Sequence, residues 1–389
     1  MKIIFLNHHN HLRGYSMNRY ANFLDKSMTA KGHDSEIWHP KPYLAKTYFP
    51  KTIRKWLIYV DQFILFPLLF LIKSKQKPKD TLYVLIDQAL GIWMPLLKNK
   101  KHIVHCHDFI ALKSSLGLIK ENPTNWTGKI YQRSILKGFS KAQNFISVSK
   151  HTQKELVKFL KREPAINEQV YNALDPMFIP GSVTNARIEV SKHVKHNLEQ
   201  GYLLHVGGNG FYKNRIGLIA LYTSWRAVTN KSLPLLLIGY PPSKKIYEAS
   251  ESSQFKNDIY FLTNADNHLL LQSYQGASMF LFPSLFEGFG WPVAEAMASG
   301  CPVITTNEAP MNEVGGNAAF FIERCPSPEQ IKAWAHESAQ VLEKALSISS
   351  KEKNDVIAKG LINAQRFNED KLTDEIEQIY LKIEKAKLF

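Results

Sequence analysis

The chain has 389 residues, 44% of them hydrophobic and 12% aromatic, and its 49 Lys and Arg against 34 Asp and Glu give a net charge of +15. That length suggests two domains, and the apolar content excludes a largely disordered chain. Three cysteines (Cys106, Cys301, Cys325) make no even set and no CxxC pair, which excludes a disulfide scaffold or zinc ribbon and fits a reducing, cytosolic compartment.

The first nine residues, MKIIFLNHH, hold too short an apolar run for a signal peptide and read as a buried strand over 2–7. Further strands are expected over 34–38, 82–86, 102–105 and 144–148, and a helix over 150–160 with Ser149 as its N-cap. Asp175-Pro176, Pro180-Gly181 and the polar stretch to Gln200 have linker composition. A second series follows, with strands over 202–206, 235–238, 259–261, 279–282, 302–305 and 319–322. Helices are expected over 267–275, 292–299 and 328–347, and 351–388 has helical periodicity only. Strands alternating with helices predict an α/β fold of two Rossmann-like domains facing across a cleft, with ligands at the carboxyl ends of the sheets. The boundaries implied are 1–180 for an N-terminal domain, 181–200 for a linker and 201–365 for a C-terminal domain. Residues 366–389 are expected as a helix packing back on the first domain.

Charge divides along the chain. Residues 1–180 net +16 and residues 181–389 net −1. Within 41–79 there are nine basic residues and one acid, Asp61, and the basic groups flank apolar runs at 56–60 and 63–72. Basic ends around an apolar stretch suit an anionic membrane surface. Asp61 and Gln62 interrupt the stretch and Pro67 is expected to kink it, so the clean run is too short to span a bilayer. Nucleic-acid binding calls for basic and aromatic residues interleaved on one face, and that pattern is missing.

The most specific segment is PSLFEGFGWPVAEAMASGCPVI, residues 283–304. It reads as strand, glycine-rich turn, helix, turn and strand, with Pro292 at the first helical position and Gly300 at the left-handed position after the last turn. Gly288 and Gly290 allow close backbone approach, and the free N–H groups of the new helix suit an anion such as a diphosphate. Glu287 and Glu295 flank that place, and a carboxylate accepts the paired hydrogen bonds of vicinal sugar hydroxyls. None of the twelve aspartates lies two positions from another, so no DxD pair is present to hold a divalent ion on a diphosphate. The adjacent His8, His9 and His11 converge poorly on one ion. No metal and no cofactor is expected. Gly207-Gly208-Asn209-Gly210 lacks the third glycine of a dinucleotide fingerprint.

Segment 283–304 resembles the EX7E motif of retaining GT-B glycosyltransferases, specifically glycosyltransferase family 4. YLLHVGGNGFYKNR at 202–215 is similar to the strand and loop opening that family's donor domain, and APMNEVGGNA at 309–318 to a further block of it. VHCHDF at 104–109 and ISVSKHT at 146–152 resemble strand ends of its acceptor domain. The resemblance implies that Glu295 holds the nucleotide ribose, Glu287 the donor sugar, and Phe289 and Gly290 offer backbone N–H groups, with Gly288 and Gly208 beside them. It implies Lys213 on the diphosphate and His107 approaching the donor sugar from the acceptor side. Where the family carries an arginine before this lysine, Tyr212 stands here, and Arg215 is the candidate substitute. Gly14 belongs to the acceptor-side loop after the first strand. The function implied is transfer of a sugar from a GDP- or UDP-sugar to a lipid-linked or growing glycan in bacterial surface polysaccharide synthesis. The enzyme is expected to be cytoplasmic and peripheral on the inner face of the plasma membrane. The alternatives are an inactive nucleotide-sugar-binding scaffold subunit, or an epimerase or phosphorylase of the same fold.

Overall fold

The computed structural model describes residues 1–9, 15–45 and 50–386, so Gly14, His11 and Lys46 lie outside the described residues. The chain forms two compact units, Met1–Tyr171 together with Asp370–Phe389, and Asn172–Glu369.

The first unit holds six parallel strands: β1 (Lys2–Leu6), β2 (Asp34–Trp38), β3 (Leu82–Leu85), β4 (His102–Cys106), β5 (Asn144–Ser147) and β6 (Ile166–Gln169), in spatial order β2-β1-β3-β4-β5-β6. Its central strands are almost wholly apolar because helices cover both faces of the sheet. The second unit holds β7 (Leu203–Val206), β8 (Leu235–Gly239), β9 (Ile259–Thr263), β10 (Met279–Phe282), β11 (Val303–Thr306) and β12 (Ala319–Ile322), in order β12-β11-β10-β7-β8-β9. Leu203, Leu235, Leu237, Met279, Leu281 and Ile304 pack there against Trp225, Trp334 and Leu342 from the covering helices. Strand order reverses between β1 and β3 in one sheet and between β7 and β10 in the other. Those reversals open the crevices where such sheets bind ligands.

Residues 181–200 are not a linker. Val183–Val194 is a helix capped by Ser182, with Ala186 and Val190 buried and Arg187 Nε donating to the Gly276 carbonyl at 2.9 Å. Its polar outer face gave the stretch its linker composition, and the unit begins at Asn172. The final helix, Glu369–Lys385, lies almost wholly in the first unit. There the two ring nitrogens of neutral His105 exchange hydrogen bonds with two tyrosine hydroxyls, Nδ1 with Tyr20 Oη (2.7 Å) and Nε2 with Tyr380 Oη (2.8 Å), one nitrogen donating and the other accepting. His33 pairs with Glu377 at 2.7 Å.

Residues 51–74 also depart from expectation. They form one continuous helical rod, Lys51–Val60, a π-helical turn Asp61–Leu65 and Phe66–Ser74. The π turn absorbs the polar interruption: the Phe66 N–H reaches the Asp61 carbonyl, and Pro67, which has no N–H to continue the ladder, follows it while the Gln62 carbonyl accepts Trp93 Nε1 at 3.2 Å. Asp61 faces inward and accepts the backbone N–H groups of Leu44 and Ala45 at 3.0 Å each. The stretch Trp56–Ser74 is thus long and apolar enough to cross a membrane by length and composition, and a third of it is buried in the unit. Ile58, Gln62, Phe66 and Phe70 face the core, whereas Trp56 (70% exposed), Ile64, Leu68, Leu71 and Ile72 face outward.

Candidate active site

In the second unit, the loops leaving β7 and β10 meet at the sheet reversal. After β7 come Gly207–Gly210, a single 3-10 turn Phe211–Lys213, and the helix Arg215–Arg226. After β10 comes the loop carrying Glu287 and Gly288. The backbone stitches the two together: Leu285 N–H donates to the Tyr212 carbonyl at 2.7 Å, and Asn214 Nδ2 to the Pro283 carbonyl at 3.1 Å. Across that seam Lys213 Nζ lies 2.7 Å from Glu287 Oε1, and the ammonium also sits 4.8 Å from the Phe282 ring centre. Both side chains of the pair stay slightly exposed, so an incoming anion can reach the lysine.

Gly290 has φ of 106°, a conformation that strains any residue with a Cβ, and it turns the chain into the helix Trp291–Ala298. Pro292 occupies the second helical position rather than the first, and Gly300, φ 78°, follows the last turn. Phe289 is buried against Phe367 and Trp291. Glu295 is only 5% exposed, and its Oε2 accepts the Tyr274 hydroxyl at 3.0 Å. Tyr274, on Asn267–Gly276, is thus a part of the site that no local spacing announces.

Arg215 is built into the wall of the crevice. One of its terminal nitrogens reaches Asn209 Oδ1 at 2.8 Å and the other the Ile238 carbonyl at 3.0 Å, so it ties the glycine loop to the end of β8. Burial lowers its pKa to about 10, which still leaves it charged at neutral pH. Arg215 thus supports the loop through its terminal nitrogens, while its Nε has no protein partner. His205, on β7, is fully buried and donates from Nδ1 to the Leu281 carbonyl (2.9 Å). Burial first, then the nearby Arg215 charge, pushes its pKa down to about 3, so the ring is neutral. Its Nε2, the Arg215 Nε and the Ser284 Oγ are three buried polar atoms without partners on this one crevice. Clustered unsatisfied groups are what a ligand or ordered water completes. Around Gly208 a Cβ would meet the Tyr240 ring at 3.4 Å, so that loop lies tight against its neighbour.

The first unit has a second polar cluster at its own reversal. His107 follows β4; its backbone N–H donates to Gln88 Oε1 at 2.9 Å, its Nε2 meets the Ile86 carbonyl at 2.8 Å, and its ring stands edge-on to Tyr20. His8, at the end of β1, pairs through Nε2 with Asp87 Oδ2 at 2.8 Å, and Asp87 Oδ1 accepts the Ala89 N–H. The sequence around His8 holds no carboxylate. Asp87 arrives from β3, 79 positions later, because β1 and β3 are neighbours in the sheet. No group of three or more His, Cys, Asp or Glu among the described residues is placed to hold a metal ion.

Comparison with known proteins agrees with this arrangement. The family model for glycosyl transferases group 1 matches residues 187–381, half of the chain. The O-antigen chain mannosyltransferase B of Escherichia coli is 26% identical over 251 residues, which is 64% of this chain. The match spans less than two thirds of that relative, 63% of its length. Two solved structures align along nearly their whole length. HepE of Anabaena in complex with UDP has a TM-score of 0.71 at 14% identity, covering 98% of this chain and 100% of that one. WaaG, a glycosyltransferase involved in lipopolysaccharide biosynthesis, has a TM-score of 0.69 at 15% identity, covering 97% and 99%. The chain belongs to the glycosyl transferases group 1 family, and its two parallel-sheet units have the GT-B fold.

Proposed function

We propose that the protein transfers a sugar, with retention of anomeric configuration, from a nucleoside-diphosphate donor to a lipid-linked or growing glycan of a bacterial surface polysaccharide. The observation that carries this reading is the Lys213–Glu287 pair across the β7–β10 crevice, beside the helix N-terminus at Gly290. An incoming diphosphate displaces Glu287 from Lys213 and takes up the N–H groups of the helix start. Glu287, released, accepts hydroxyls of the donor sugar, while buried Glu295 accepts those of the ribose. The acceptor oxygen then forms its bond to the anomeric carbon on the face from which the diphosphate oxygen departs, and the hydroxyl proton passes to the departing phosphate. Holding the charge that grows on that phosphate is the work of Lys213 and the backbone donors. The name of the Escherichia coli relative supports mannose as the sugar, and the UDP in the HepE complex supports a nucleotide-linked donor.

The outward face of Trp56–Ser74 and its flanking lysines support peripheral binding to an anionic membrane, which brings the first unit to a lipid-linked acceptor. A donor panel of GDP- and UDP-sugars, read as nucleotide release with and without EDTA, tests the enzymatic reading. Release from one GDP- or UDP-hexose that persists in EDTA is expected. No release from any donor, with binding retained, points to a scaffold subunit.

A further inference from the structure

Beside the outward-facing helix lies a cavity of ≈ 210 Å³ lined by none of the residues assigned above to the two crevices. Its floor is aromatic, with Trp38, Phe66 and Phe70, and its rim carries Lys41, Tyr43 and Lys73. We propose that this cavity holds the phosphate-bearing head group of an anionic bilayer lipid, whose acyl chains continue along Leu68, Leu71 and Ile72. The inference rests on the membrane reading above and deepens it from a charged surface to a defined site.

Charge makes the first argument. Two acids line the cavity, and both are satisfied within the protein. Glu36 binds Lys2 and Lys77 at 2.5 Å each and accepts the Trp38 indole N–H at 2.8 Å. Asp61 accepts the N–H groups of Leu44 and Ala45. The two lysines are in the opposite condition: neither Lys41 nor Lys73 has a carboxylate partner among the described residues, and Lys73 lies 5.8 Å over the Trp38 ring. With Glu36 neutralised by Lys2 and Lys77, the two lysines outnumber the one remaining carboxylate, Asp61, and an anion completes the charge balance of the cavity.

Size and surroundings make the second. Drug-sized molecules fill roughly 300–1,000 Å³, so this volume admits a phosphate and a few atoms beyond it, not a whole lipid or an oligosaccharide. Leu69 lines the cavity, and Leu68, Leu71 and Ile72 lie exposed on the neighbouring positions of the same helix. A head group bound inside thus has an apolar path leading from it. The π turn creates this layout: it turns Asp61 inward to fix the Leu44–Ala45 backbone while leaving the leucines outside. A soluble anion has no use for that path, and an amphiphile does.

Calorimetry with dihexanoyl phosphatidylglycerol below its micelle concentration, in the absence of any donor, tests the site apart from general adsorption. Saturable binding is expected, with inorganic phosphate at least tenfold weaker. Lys41→Ala with Lys73→Ala should weaken the lipid on the order of 30-fold, taking ~1 kcal/mol per lysine near an anionic partner. Lys75→Gln with Lys79→Gln, on the same basic segment but outside the cavity, should change it less than twofold. Equal losses in the two double variants, phosphate binding as tightly as the lipid, or no saturable binding at all overturns the proposal. A protein that binds the lipid but turns over no nucleotide sugar leaves this site standing and refutes the transferase reading alone.

Discussion

At the crevice of the second unit the two loops are bridged by Lys213 and Glu287, whereas at the crevice of the first the bridge is His8 and Asp87. The positions correspond, since each pair joins the strands on either side of the sheet reversal. Their exposure differs: Lys213 and Glu287 are 14% and 10% exposed in their side chains, His8 and Asp87 5% and 3%. The first is a pair of full charges that an anion can part, so it suits a diphosphate. The second is more deeply held, and an imidazole–carboxylate pair in that setting exchanges hydrogen bonds with neutral hydroxyls. On the proposed function, the second unit's crevice thus suits a charged donor and the first unit's suits the hydroxyl groups of an acceptor.

The largest expected effect falls on the charged pair. Lys213→Ala should lower turnover by about 10²–10³, the loss typical of removing one stabilising donor from a developing oxyanion, and kcat should fall more than KM rises. A loss of only a few fold would place the leaving-group charge elsewhere. Next, Glu295→Ala should weaken binding of the free nucleoside diphosphate by ~1–3 kcal/mol, with Tyr274→Phe giving a smaller change in the same direction. Unchanged affinity in Glu295→Ala would remove the ribose assignment.

Each unit also fully buries a neutral histidine with a strongly lowered pKa, His105 in the first (where burial lowers His102 as well) and His205 in the second. Burial, aided by His107 and Arg215 respectively, lowers both pKa values to about 3. The unfolded chain takes up a proton at each near pH 6.5, while the folded chain does so only near pH 3. Folding stability is therefore fully present above pH 6.5 and is lost as pH falls toward 3. By pH 5 each site should cost about 2 kcal/mol. Denaturant midpoints at pH 7 and pH 5 measure this, and His205→Gln should flatten the fall in the second unit only. The smallest effect is expected at the first crevice: His8→Gln should raise KM for the acceptor roughly fivefold, about the worth of one hydrogen bond, and leave nucleoside diphosphate affinity unchanged. A matching loss of nucleotide affinity would merge the two crevices' roles and break the comparison.

The donor-side unit was far more legible in the sequence than the acceptor-side one. Glu287, Gly290, Glu295 and Gly300 lie within fourteen residues of one strand–turn–helix segment, where local spacing predicts geometry. The acceptor-side cluster is assembled by topology: His8 meets Asp87, and His107 meets Ile86 and Gln88, only because β1, β3 and β4 are neighbours. Strand β6, INEQ, escaped notice because an edge strand of half-buried polar residues lacks the apolar run that marks its neighbours. The helix Val183–Val194 was hidden by its polar face, and the rod over 51–74 by a π turn that no simple period contains. Arg215 was found by position, but its role as a brace between Asn209 and Ile238 depends on β8, which the local motif does not include.

The central claim is that diphosphate replaces Glu287 as the partner of Lys213. Calorimetric titration of the Glu287→Gln protein with the free nucleoside diphosphate tests it most directly, alongside turnover of the full donor. With the competing carboxylate gone and Lys213 free, the diphosphate should bind at least as tightly as to wild type, while turnover falls by about 10² or more. Binding weakened tenfold, or turnover left intact, would contradict the exchange.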